Sequence, residues 1–327
     1  MLLQMGSLVK LRDIRTTVVG ILLSISFIVV GGDEPRTVDD VSSFFRGDML
    51  AVPWTAEGES QLHTMIETLE SIIGIPSMLD ASYEAVVERF DVAADLRAVV
   101  LRLAHLYFEL GNAFAGGDLD ALVAFERGKH WGLKGLRMDP RFARIEQEQG
   151  FEAAVAEETN VGFLFWTCLC WLRCAEANPI MAAVSGTPAK ALLMLERCAE
   201  LDPEYAMCGP YRALAGFWGG LPDLPLTRLR RNLDLAFEYS CRAMNDGLDL
   251  HCTEACNGPD GCGLFLENRL TFVKYYLLPS GNIEHAERVL REIISDPSDV
   301  VYPLHDALAR HNAEMLLHSI WEVARSP

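Results

Sequence analysis

Basic residues are scarce in this chain. It has 28 Lys and Arg against 46 Asp and Glu, a formal net charge of −18 over 327 residues. So acidic a chain is a poor partner for nucleic-acid backbones or an anionic membrane surface. β-branched alternation is missing outside the N-terminal apolar stretch, so no strand is expected. There is no Walker loop, no H-E-x-x-H, no G-x-S-x-G and no dinucleotide fingerprint. The glycine-rich "GPDGCG" follows no predicted strand, which removes a phosphate cradle. No paired C-x-x-C occurs, so zinc at His251 with its neighbouring cysteines lacks the usual ligand spacing. Together these absences argue against catalysis, a cofactor and a metal site.

What is present is apolar and helical. Half of the residues are apolar, enough for a large core. At the N-terminus Lys10, Arg12 and Arg15 precede the uncharged run "TTVVGILLSISFIVVGG" (16–32). A membrane span wants about 20 apolar residues. A basic region followed by a shorter apolar one fits an export signal better, with an uncleaved anchor as the alternative. The run resembles a bacterial lipoprotein signal, but Gly32 stands where the lipidated cysteine belongs. Residues 1–32 are therefore read as an export signal or membrane anchor. Residues 33–58 lack periodicity and read as a tether or loosely docked arm. Residues 59–327 read as one helical repeat domain.

The nine cysteines fall into different settings. Cys168, Cys170 and Cys174 lie in the apolar run "FWTCLCWLRC", where buried thiols are expected. The loop "HCTEACNGPDGCG" (251–263) carries Cys252, Cys256 and Cys262, from which a disulfide is expected in an oxidising compartment.

Leu62, Ile66, Leu69 and Ile73 step by three or four, the mark of an amphipathic helix over 59–73. A second helix is expected over 78–92. Beyond it a pattern repeats. "YFELGNAF" (107–114), "WTCLCWLR" (166–173) and "YRALAGFW" (211–218) share aromatic-x-x-Leu-small. Each is followed by a second helical run, and Asp-Pro pairs fall at 139–140, 202–203 and 296–297. This is the tetratricopeptide pattern of paired antiparallel helices, worn and unevenly spaced. The expected fold is all-α, a solenoid of helical hairpins. They are 95–115 with 118–138, 160–177 with 187–201, 209–219 with 227–246, and 265–278 with 283–295. An acidic connecting helix is expected within 142–158 and a capping helix over 303–323.

Glycine inside an apolar helix costs about 1 kcal/mol against alanine. Gly111 therefore needs a reason, and close approach of the second helix of its hairpin supplies one. Such arrays form a groove lined by the first helix of each hairpin. Residues one and five after the leading aromatic, and two before it, should face that groove. They are His105, Phe108 and Asn112, then Thr167 and Trp171, then Arg212, then Asn268 and Tyr275 matched through Leu270. The lining suits a peptide helix or an apolar small molecule. Packing against neighbouring hairpins is the alternative for each residue.

The stretch "YFELGNAFAGGDLDALVAFERGKHWGLKGLRMDPRF" (107–142) and "YRALAGFW" resemble the T component of tetratricopeptide-associated TRAP transporters. The resemblance implies an α-helical periplasmic lipoprotein that forms homotrimers, with a channel through each protomer. It implies association with the periplasmic solute-binding (P) component, attachment to the inner membrane through the N-terminus, and a hydrophobic or organic-acid ligand. The expected function is thus a non-enzymatic accessory role in solute uptake. A generic tetratricopeptide adaptor in envelope assembly is the alternative, ahead of an envelope-polymer enzyme with a helical toroid fold.

Overall fold

From Thr37 onward the chain is docked onto the core. Val41, Met49, Leu50 and Val52 are all buried. The computed structural model describes residues 37–74, 93–222, 229–244, 262–297 and 302–325. Helix α1 (Val38–Ser42) opens with a capping box between Thr37 and Asp40. Two short antiparallel strands follow, β1 (Phe45–Arg46) and β2 (Met49–Leu50). Gly47 takes the left-handed conformation (φ 60°) that the turn between them needs. This arm has no helical period because it docks through single residues on either side of a tight turn.

Helix α2 (Ala56–Ile73) is capped by Thr55 and ended by Gly74. Its Leu62, Ile66 and Leu69 are buried, as their spacing requires. The helix expected over 78–92 lies outside the described residues.

The hairpins then follow in order. The first joins α3 (Arg97–Glu109) to α4 (Asp118–Arg137). Helix α3 runs into a π-helical turn, Leu110–Phe114. Two short helices come next, α5 (Pro140–Gln149) and α6 (Phe151–Glu157), broken at Gly150 (φ 97°). The single connecting helix expected there is thus a pair. The second hairpin joins α7 (Val161–Ala177) to α9 (Thr187–Leu201), with α8 (Pro179–Val184) in the loop between them. The third joins α10 (Tyr205–Gly220) to α11 (Leu233–Ala243). The fourth joins α12 (Leu266–Phe272) to α13 (Ile283–Ser295), and α12 also ends in a π turn, Val273–Leu277. Helix α14 (Pro303–Arg325) packs on α13.

Within each hairpin the two helices pack together, and α4, α9 and α11 also pack on the first helix of the next hairpin. Helices α3, α7, α10 and α12 touch in succession. The architecture is all-α, with hairpins stacked so that one continuous apolar core runs from Val41 to Leu304. A second core joins α11, α12, α13 and α14. Asp-Pro marks helix ends as expected: Asp202 and Asp296 cap α9 and α13, while Asp139-Pro140 begins α5.

Small residues set the spacing of the first two hairpins. A Cβ on Gly111 would lie 2.7 Å from Phe125 Cε1 and 3.0 Å from the Ala121 carbonyl of α4. Close approach of α4 is therefore the reason for the glycine. Gly128, Gly132 and Gly135 of α4 likewise receive Cys170, Thr167 and Phe163 of α7.

The disulfide expectation needs correction. Cys262 does bridge, but to Cys208 of α10. Helix α10 brings Cys208 to the loop, and no local spacing in 251–263 could reveal that. Cys252, Cys256 and His251 lie outside the described residues. Cys168 and Cys170 are buried thiols held protonated by burial, as expected, and Cys174 is half-buried.

Candidate functional site

The first helices of the four hairpins, with α14, enclose a cavity of about 470 Å³. Its apolar wall is built mainly by α7 and α10. Leu169, Leu172, Ala213 and Phe217 face it, with Trp166 and Leu270. Helix α8 closes part of the rim with Pro179, Ala182 and Ala183.

Both π turns stand at this cavity. Asn112 comes from the first and Tyr275 from the second. A π turn breaks the i→i+4 ladder and re-aims the residues that follow it. At the first turn, the arm residue Trp54 donates from Nε1 to the Ala113 carbonyl at 2.7 Å. At the second, the Tyr275 ring lies over a glycine face of α10, 3.4 Å from where a Cβ on Gly216 would stand. Only a face without side chains admits the ring so closely.

Four of the eight expected groove residues line the cavity: Phe108, Asn112, Arg212 and Tyr275. His105 and Asn268 lie behind its wall, and both are buried. Thr167 is buried against Gly132, and Trp171 packs edge-on against Phe151 of α6. The reading one and five after the leading aromatic thus finds the cavity on α3, α10 and α12. It misses on α7, where the lining instead runs through Phe165, Leu169, Leu172 and Glu176. Helix α7 is buried on most of its circumference, so its pattern carries little information about which side is the groove.

The cavity has one polar end, and sequence reasoning missed most of it. Glu109 and Glu267 line it together with His305 of α14. His305 Nδ1 is 3.2 Å from Glu267 Oε1, and its Nε2 is 3.7 Å from Glu109 Oε1. His105 Nε2 is 3.1 Å from the same Glu109 oxygen, with its ring stacked 3.5 Å from the Trp166 ring. The one early signal was Glu109 itself, a charge in the middle of an apolar helical run.

The two histidines are shifted in opposite directions. Burial lowers His105 to about 4 and outweighs its bond to Glu109, so the ring is neutral and Nε2–H donates. Burial also pulls His305 down, but Glu109 and Glu267 more than reverse it, and its pKa is raised. Glu267 is lowered although burial pushes it up, because His305 and Arg212 favour its charged form.

Arg212 is fixed by backbone carbonyls. Its Nη1 donates to Met207 O at 3.0 Å and to Asn268 Oδ1 at 2.8 Å, and Nη2 donates to Ala206 O at 3.3 Å. Those carbonyls belong to Ala206–Cys208, all with positive φ (50°, 59° and 56°). Non-glycine residues seldom hold that conformation without support. Support comes from the Cys208–Cys262 bridge and from Asn268 Nδ2, which donates to Met207, Ala243 and Cys262 carbonyls. Arg173, at the rim, donates to Glu176 at 3.0 Å and to Asn112 Oδ1 at 3.3 Å.

Among the described residues, no three His, Cys, Asp or Glu side chains are arranged to hold a metal ion. Among them, too, no helix is long and apolar enough to cross a membrane. No curated protein matches the chain. Residues 83–225 match the family model described as TRAP transporter T-component, the family that the stretches 107–142 and 211–218 resemble.

Proposed function

We propose that this protein is a non-enzymatic accessory component of a TRAP-type solute uptake system. In this reading it binds the periplasmic solute-binding component and holds an apolar small molecule in the cavity between its hairpins. The family match supports the accessory role in TRAP transport. The observation that carries the ligand part is the cavity itself. It is about 470 Å³, walled mainly by leucine and aromatic side chains, with convergent polar groups at one end. That is the composition of a small-molecule pocket. The Cys208–Cys262 bridge suits an oxidising periplasm. Attachment to the inner membrane through residues 1–32 and assembly as a homotrimer belong to the same proposal.

Sedimentation of the purified chain, alone and with the candidate solute-binding component, tests it. The expected result is a homo-oligomer that shifts to a larger species when the partner is added. A clean monomer that binds no solute-binding component rejects the proposal.

A further inference from the structure

The polar end of the cavity is incomplete. Glu109 Oε2 and His305 Nε2 have no hydrogen-bond partner among the described residues. Both side chains line the cavity, and both are more than nine-tenths buried, with exposures of 1% and 3%. Buried polar atoms of native proteins are almost always satisfied, so two orphans in one cavity wall point to an absent partner. His105 Nδ1 is also unpartnered, but His105 lies behind the wall and is no part of this subsite.

The charge count narrows what that partner is. Glu109 and Glu267 are balanced here by Arg212 and His305. Arg173, at the rim, also acts on Glu267 but is paired with Glu176. Arg102, the other cation close to His105, is balanced by Asp48. A carboxylate entering this end would meet Glu109, and an ammonium would meet His305 and Arg212. Either adds an unbalanced charge out of water. The 3.7 Å gap between His305 Nε2 and Glu109 Oε1 is too long for a hydrogen bond. A hydroxyl accepts one hydrogen bond and donates another, so it can take the histidine N–H and give its own proton to the free carboxylate oxygen.

We infer that the Glu109–His305 end of the cavity is a subsite for a neutral hydroxyl, and that the preferred ligand is an apolar molecule ending in an alcohol. This rests on the cavity being a ligand chamber. The competing arrangement places an anionic head at the rim, where Lys274 lines the cavity and has no ion pair among the described residues.

The test uses the full chain and the neutral dye N-phenyl-1-naphthylamine, displaced by decan-1-ol, decanoate or decylamine. Dye binding that is lost in Ala213→Trp reports the chamber. The alcohol should displace the dye at concentrations at least tenfold below the other two. Glu109→Met should shrink that advantage to threefold or less. His305→Gln should do the same through the other partner, and it serves if Glu109→Met fails to fold. Decanoate competing best, with the advantage removed by Lys274→Ala, overturns the subsite. Equal competition by all three overturns it too, and assigns the orphan atoms to bound water. If the dye does not bind at all, the chamber reading fails and the subsite with it.

Discussion

The two regions that back the cavity are assembled by different means. On one side α4 and α7 approach through glycines, with Cys170, Thr167 and Phe163 seated where α4 has no side chains. On the other, α13 meets its neighbours through a ridge of larger groups: Val289, Leu290 and Ile293 are buried with Ala309 and Leu317 of α14. The first mode sacrifices helix propensity for closeness. The second keeps propensity and fills the gap with volume. Each side also contributes one buried histidine, His105 from α3 with its pKa lowered and His305 from α14 with its pKa raised. Both rings face Glu109, and His305 has Glu267 as a second carboxylate, which tips it the other way.

The largest effect should come from the volume-packed side. Leu290→Ala, at a fully buried site, should cost about 2–5 kcal/mol in chemical denaturation. Next comes proton linkage, which treats the two sides oppositely. His105 is depressed to about 4, so its contribution is fully present above pH 6.5 and lost as pH falls toward 4, by up to about 3 kcal/mol. His305 is raised, so its contribution is fully present below pH 6.5 and lost as pH rises through its folded pKa. Melting temperature against pH should therefore peak near 6.5. His105→Phe should make the acid limb shallower, His130, also lowered to about 4, keeping the rest, and His305→Phe should act on the alkaline limb.

Gly132→Ala attacks the glycine-packed side. It gains about 1 kcal/mol of helix propensity, yet the new methyl collides with Thr167. The net should be a loss of about 1–3 kcal/mol. A gain in stability would show that the contact is loose and break the comparison. Asn112→Ala should matter least for stability. It removes one hydrogen bond from Arg173, worth about 0.5–1.5 kcal/mol. Its larger consequence should be weaker dye binding at the rim.

How much of this could be read from the sequence follows from distance along the chain. The hairpins were legible because aromatic-x-x-Leu-small and Asp-Pro are local patterns with local causes. Gly111 was legible for the same reason, since its contact lies in the next helix. Half of the expected groove residues reach the cavity because one helical face predicts its own neighbours on α3, α10 and α12. The face of α7 was not legible, because a helix apolar nearly all round does not declare its inside. The Cys208–Cys262 bridge and the Glu109–His305 approach join segments far apart in the chain, which no short motif encodes. The arm could be read only as a tether or a loosely docked segment, because its buried residues follow neither helical nor strand period.

The paired π turns carry a further consequence. A π turn arises when a helix accommodates one residue too many, and deleting that residue restores an ordinary α-helix. Excising one residue from Leu110–Phe114 would remove the bulge and move the side chains of the turn by one position, about 100° around the helix axis, while the segments beyond it keep their places. The same holds at Val273–Leu277 on the facing wall. The lining of this cavity is thus tunable by length as well as by substitution. A single added or lost codon in either helix would exchange Asn112 or Tyr275 for a neighbour and leave the hairpins standing.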